Sequence, residues 1–134
     1  MIEMFEGVGT ALITPFGKDG GLDEKGIARL VEFQESKGVD FLVPCGTTGE
    51  SATLSHEEHR RMVELTIKHT TRAKVLAGTG SNSTTEAIAL TRHARDAGAD
   101  GALVITPYYN KPTMRGMLAH YEELSRLDVP LVVY

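Results

Sequence analysis

Apolar residues along the chain fall into short continuous runs separated by longer stretches of helical spacing. Five β-branched or apolar segments recur about every 30 residues: Val8-Gly9-Thr10-Ala11-Leu12-Ile13, Phe41-Leu42-Val43, Lys74-Val75-Leu76-Ala77, Ala102-Leu103-Val104-Ile105 and Leu131-Val132-Val133-Tyr134. Continuous rather than alternating apolarity predicts strands buried on both faces. Between them, Ile27, Leu30 and Val31 mark a first helical stripe, and His59, Met62, Val63, Thr66 and Ile67 a second. Ala87, Leu90, Thr91 and Ala94 form a third, and Met117, Leu118, Tyr121 and Leu124 a fourth. Positions near i, i+3, i+4 and i+7 place each set on one side of a helix. The predicted order is βαβαβαβαβ.

Element boundaries carry their own signals. Ser55 with Glu58 and Ser83 with Glu86 fit the S-x-x-E capping box, and Gly38 and Gly98 suit the left-handed residue that ends a helix. Gly38-Val39-Asp40 and Gly98-Ala99-Asp100 each lead into a strand, which points to one βα unit used repeatedly. A doubly wound open sheet and a (β/α)8 barrel both fit such alternation. The one glycine-rich turn resembling a dinucleotide fingerprint, Gly78-Thr79-Gly80-Ser81-Asn82-Ser83, lacks the third glycine. Polar residues (Thr14, Thr47, Thr79, Asn82, Tyr108, Tyr109) follow the strands at their carboxyl ends, as in a barrel that builds its site from several loops. The expected fold is therefore α/β, a TIM barrel represented by its first four βα units and fifth strand. Residues 1–134 would be the N-terminal half of a single domain.

Composition narrows the partner class. With 134 residues, 41% hydrophobic, a net charge of −4 and no basic block, the chain offers little to nucleic acid or an anionic membrane. No run approaches a membrane span, and Met1-Ile2-Glu3-Met4-Phe5-Glu6 lacks the basic flank of a signal peptide. A single cysteine, Cys45, suits a reducing cytoplasm. A small-molecule partner is expected.

The candidate chemistry centres on Gly46-Thr47-Thr48-Gly49-Glu50-Ser51, directly behind the second apolar segment. Two hydroxyls between glycines can cradle a small anion; a plain βα turn would use the same residues for bending and capping. Thr47, the Tyr108-Tyr109 pair and Tyr134 all fall at carboxyl strand ends, where three hydroxyls could relay a proton. The alternative is wet loop aromatics and a barrel-mouth filler. His56-Glu57-Glu58-His59 misses the i, i+4 spacing of zinc helices and has no evident third ligand, so no metal is expected and the default is a solvated or locally hydrogen-bonded surface pair. Cys45 reads as a small buried residue rather than a nucleophile.

Thr14-Pro15, Cys45 through Leu54, Ala77 through Asn82 and Thr106-Pro107-Tyr108-Tyr109-Asn110-Lys111-Pro112 together make the chain resemble the dihydrodipicolinate synthase family. These are pyruvate-dependent class I aldolases on the (β/α)8 barrel, and the resemblance runs the length of the chain. It implies condensation of pyruvate with L-aspartate-4-semialdehyde through a lysine Schiff base, with no other cofactor. By the same resemblance Thr48 would bind the pyruvate carboxylate, and Thr47, Tyr109 and Tyr134 would form the proton relay. Tyr134 would be the proton donor and acceptor, and Tyr109 would reach into a neighbouring subunit. Ser51, Ala52, His56, His59, Asn82, Glu86 and Tyr108 would match an L-lysine inhibitor site, and the assembly would be a homotetramer, a dimer of dimers. The family's Schiff-base lysine lies on a sixth strand, and its substrate arginine follows Tyr134. Neither falls within these residues, so residues 1–134 by themselves are expected to be inactive. Sister aldolases of the N-acetylneuraminate lyase type and a non-catalytic, self-associating half-barrel are the competing expectations.

Overall fold

The computed structural model describes residues 4–134; the first three positions of the N-terminal stretch read above lie outside it. Five strands, β1 (Gly9–Ala11), β2 (Phe41–Val43), β3 (Lys74–Gly78), β4 (Gly101–Val104) and β5 (Leu131–Val133), form one sheet in the order β1-β2-β3-β4-β5. Every neighbouring pair is parallel. Helices α1 (Glu24–Ser36), α2 (His56–His69), α3 (Thr84–Ala97) and α4 (Met114–Ser125) supply the crossovers. Parallel strands cannot be joined by tight hairpins, which is why a helix lies between each strand and the next.

The repeat headed by glycine has a geometric cause. Asp40 donates its amide to the Val8 carbonyl at 2.9 Å and accepts the Val8 N–H on its carboxylate at 2.8 Å. Asp100 does the same to Val75, at 2.9 and 2.8 Å. In each unit an aspartate pins the entry to its own strand against the preceding one. Gly38 (φ +81°) and Gly98 (φ +99°) take the left-handed turn that brings the aspartate there.

Leu12, Ile27, Val31, Leu42, Met62, Val63, Leu65 and Ala77 make the main core between the sheet and α1–α2. Ala87, Ala102, Val104, Leu124 and Leu127 make a second core beneath α3 and α4. Each fully buried aliphatic side chain contributes about 1.5–3 kcal/mol. Burial of both strand faces holds in β3, where Val75, Leu76, Ala77 and Gly78 are all covered. It fails at the margins: Ile13 is 56% exposed and Val133 62%. Five staves of a barrel curve without closing, so the inner face of the first and last has no strand opposite it.

Two further expectations are corrected. Leu118 of the fourth stripe is 58% exposed, and His120 takes the inward position beside Leu124. There it reaches the Thr84 hydroxyl at 2.9 Å through Nδ1, a polar link that an apolar pattern does not mark. The Ser55–Glu58 capping box is present in full, but the Ser83–Glu86 box is only half made. Ser83 accepts the Glu86 amide at 3.4 Å, while the Ser83 amide is taken by the Ser81 hydroxyl at 3.0 Å. The Glu86 carboxylate is thereby free for other partners.

At the amino end of the sheet, the Glu35 carboxylate accepts the Arg72 and Ala73 amides, both at 2.7 Å, and the Thr71 amide at 3.1 Å and hydroxyl at 2.8 Å. Partial burial opposes ionisation, but these donors outweigh it and hold the carboxyl at about 2. Because the folded value lies below that of the unfolded chain, the stabilisation is complete above about pH 4.3 and fades as pH falls toward the folded value. Replacing Glu35 by Gln should destabilise the protein by about 1–2 kcal/mol at neutral pH, allowing for solvent screening. Urea unfolding at several pH values should show that difference shrinking between about pH 4.3 and 2.

Candidate functional site

The site lies where β2, β3, β4 and β5 end. After β2 the chain passes through Pro44 and Cys45, and Cys45 has a left-handed backbone (φ +56°). Two overlapping turns follow, Gly49 N–H to Gly46 O at 3.1 Å and Glu50 N–H to Thr47 O at 3.0 Å. Glu50 is again left-handed (φ +57°), and a 3-10 turn, Ser51–Thr53, leads to the Ser55 cap of α2. Two left-handed non-glycine residues bracketing four positions is a strained arrangement of the kind found at functional loops. Among the described residues, the N–H groups of Gly46, Thr47 and Thr48 have no acceptor within the protein. Amides presented in succession on a turn form an anion-binding concavity.

A cavity of about 300 Å³ opens at this edge. Its walls combine Leu103, Ile105 and Ala52 with the hydroxyl-bearing Thr47, Ser51, Tyr108 and Tyr134. Tyr134 is set by its backbone, which bonds β4 on both sides: Tyr134 N–H to Val104 O at 3.0 Å, and Thr106 N–H to Tyr134 O at 2.9 Å. Of the three residues expected to form a relay, two lie together. Thr47 and Tyr134 share the cavity, whereas Tyr109 stands outside it, 92% exposed and left-handed (φ +69°). Thr48 is exposed at the head of the loop, beside the cavity rather than in its wall. Cys45 lines the floor; burial pushes its thiol up to about 12, which leaves it protonated and a poor nucleophile. All six lysines (Lys18, Lys25, Lys37, Lys68, Lys74, Lys111) are exposed, and none lines the cavity.

The second constellation divides into layers. Ser51, Ala52 and Tyr108 border the cavity. Beside them the starts of α2 and α3 meet: His56 Nε2 lies 2.6 Å from Glu86 Oε1, and the Ser81 hydroxyl donates to Glu86 Oε2. The Ser81 bond, then His56, holds the Glu86 carboxyl below the ordinary carboxylate range. Asn82 sits next to this pair, its carbonyl accepting the Asn110 side-chain amide at 3.2 Å. Ser81 and the Gly78 carbonyl are working parts of this cluster that sequence reasoning missed. The strand-to-helix turn that contains them was the available signal.

For His59, though not for His56, the expectation of a solvated or locally hydrogen-bonded surface position is corrected. It is buried, 5% exposed, and its Nε2 lies 2.8 Å from the Gly78 carbonyl. A carbonyl only accepts, so Nε2 carries the proton and the buried Nδ1 is left without a partner among the described residues. No group of three or more metal-ligating side chains occurs among the described residues.

A sequentially ordered parallel sheet with its cavity at the carboxyl edge defines the first half of a (β/α)8 barrel. The chain belongs to the dihydrodipicolinate synthetase family, whose pattern it matches over residues 4–134. It is 57% identical over 132 residues to the 4-hydroxy-tetrahydrodipicolinate synthase of Methanothrix thermoacetophila, an alignment covering 98% of this chain and 44% of that protein. A dihydrodipicolinate synthase of Acinetobacter baumannii, solved in complex with pyruvate, superimposes with a TM-score of 0.92 at 47% identity. That match covers 96% of this chain and 45% of the other. The Cyanidioschyzon merolae enzyme with lysine bound gives 0.94 at 38% identity, covering 98% and 46%. The chain spans about half the length of the relatives it matches. Among the described residues no helix is long and apolar enough to cross a membrane.

Burial lowers the proton affinity of His59, and its bond to Gly78 only partly offsets this. The folded value lies below that of the unfolded chain, so His59 costs no stability at pH 7 and opposes folding increasingly as pH falls below about 6.5. Nitrogen-15 NMR of the histidines should show His59 as the Nε2–H tautomer with a titration midpoint below the ordinary histidine value.

Proposed function

We propose that this chain supplies the pyruvate-binding half of a 4-hydroxy-tetrahydrodipicolinate synthase. The reaction joins pyruvate, held as a Schiff base, to L-aspartate-4-semialdehyde. The observation that carries the reading is the run of free amides at Gly46, Thr47 and Thr48, set at the rim of a cavity that also holds Thr47 and Tyr134. A carboxylate bound by those amides and the Thr48 hydroxyl would direct the keto carbon of pyruvate inward. Charge-assisted bonds of this kind are about twice as strong as neutral ones. Thr47 and Tyr134 then stand over the carbon that must lose and regain protons. In this reading the exposed Tyr109 would complete the relay of an adjoining subunit in a dimer of dimers.

The lysine nucleophile needs a dry pocket to free its amine, and none of the six exposed lysines has one. In this reading the amine comes from a sixth strand. The intact protein treated with pyruvate and borohydride should gain a reduced pyruvyl adduct, located by peptide mapping outside residues 1–134. No adduct, or an adduct on one of the six lysines above, would refute the assignment. Thr47→Val should lower kcat by roughly 100-fold or more, the usual scale for a lost proton-transfer group.

L-lysine is the proposed feedback ligand of the second constellation, with Ser51, Ala52, His56, His59, Asn82, Glu86 and Tyr108 around it. A Glu86 carboxylate kept ionised faces an ammonium group well, and the relative with lysine bound supports the choice. Calorimetry on the intact protein should detect L-lysine binding at millimolar concentration or below, abolished in Glu86→Ala. Absence of heat with the unmodified protein would remove this regulatory role.

A further inference from the structure

We infer that Thr14, in the segment just after β1 and outside the cavity wall, is the positioning residue for the pyruvate clamp. Its hydroxyl is buried and donates to the Gly49 carbonyl at 2.6 Å, across 35 residues of sequence. Among the described residues this is the one side-chain hydrogen bond to the backbone of positions 46–49. The loop's other ties are its own two turns and the anchors at its root, Gly78 N–H to Pro44 O at 2.9 Å and the Cys45 thiol to His59 O at 3.6 Å.

Gly49 is seated against the end of the first strand. A β-carbon there would stand 2.9 Å from the Leu12 carbonyl and 3.3 Å from the Thr14 hydroxyl, so the fit depends on glycine as well as on Thr14. Thr48 immediately precedes the held residue and Glu50, left-handed, immediately follows it. A bond at Gly49 therefore fixes the direction in which the Gly46, Thr47 and Thr48 amides point. Thr14 is absent from the cavity wall, and its buried hydroxyl is engaged by the Gly49 carbonyl, so it acts through the loop. Misplacing a binding group by about 1 Å can cost roughly 100-fold in rate, which is the lever such a residue holds.

The inference rests on the pyruvate-clamp reading, and one set of variants of the intact protein separates the two. Thr14→Val keeps the shape and removes the hydroxyl; Thr14→Ser keeps the hydroxyl. Hydrogen exchange at the Gly49 and Glu50 amides should quicken in Thr14→Val and stay near the parent rate in Thr14→Ser. The KM for pyruvate should rise about tenfold in the valine variant and by less than about threefold in the serine variant, with kcat falling less than KM rises. Gly49→Ala, which lifts the loop from the same hydroxyl without altering Thr14, should reproduce the valine signature and serves if the valine variant fails to fold. Unchanged exchange in Thr14→Val, or equal loss in valine and serine variants, would overturn the positioning role. If exchange responds as expected but the parent protein forms no pyruvate adduct, the loop frame stands and the substrate assignment falls.

Discussion

The close approach of the end of β2 to the end of β3 is the constraint on which the site depends. A β-carbon on Gly78 would lie 2.3 Å from the Cys45 carbonyl oxygen and 2.9 Å from the Gly46 nitrogen. Only a glycine lets the two backbones meet there. Its amide then reaches Pro44 and its carbonyl reaches His59. From this one contact the chain turns left-handed at Cys45, the threonine loop is set over the cavity, and α2 is tied to the sheet through a histidine. The strain of two left-handed residues is tolerated because the surrounding bonds leave the loop little alternative.

The sheet itself imposes the opposite condition at its margins. Its outer face is sealed by four helices packed in sequence, while the inner face is covered only where central strands crowd one another. Ile13, Val133 and Tyr134 are left open at the ends of the first and last strands. In a closed barrel, inward residues from strands on the far side would fill this space and dry the cavity. The chemistry proposed for the site needs that dryness, both to strengthen hydrogen bonds to a bound carboxylate and to free a lysine amine.

Much of the architecture was legible because it follows from local rules. Strand and helix periods, helix-ending glycines and the repeated Gly-x-Asp unit each have a direct structural counterpart, and the two aspartates share one bonding pattern. The misreadings occurred where a side chain had two possible partners. Leu118 was placed inward by spacing, but His120 won that position through Thr84. Spacing also placed His56 and His59 together on a first helical turn. It could not show that one would point across to α3 while the other turned under the sheet edge to a carbonyl. Tyr109 stands at the same carboxyl rim, left-handed and outside the cavity.

Glu86 shows how a structural role and a binding role are separated within one helix turn. A glutamate at the third position of α3 has a ready use, returning its carboxylate to the cap residue, as Glu58 does in α2. That use would have tied it to the helix cap and turned it from the rim. Ser81 removes the need by accepting the Ser83 amide itself. The same hydroxyl then donates to the carboxylate it has displaced, directing Glu86 toward His56. One small residue thus satisfies the cap's own amide and holds an ionised carboxylate beside His56. Losing the Ser81 hydroxyl would offer Glu86 its ordinary capping geometry again, so the cluster with His56 depends on a residue that neither sits on the helix nor carries charge.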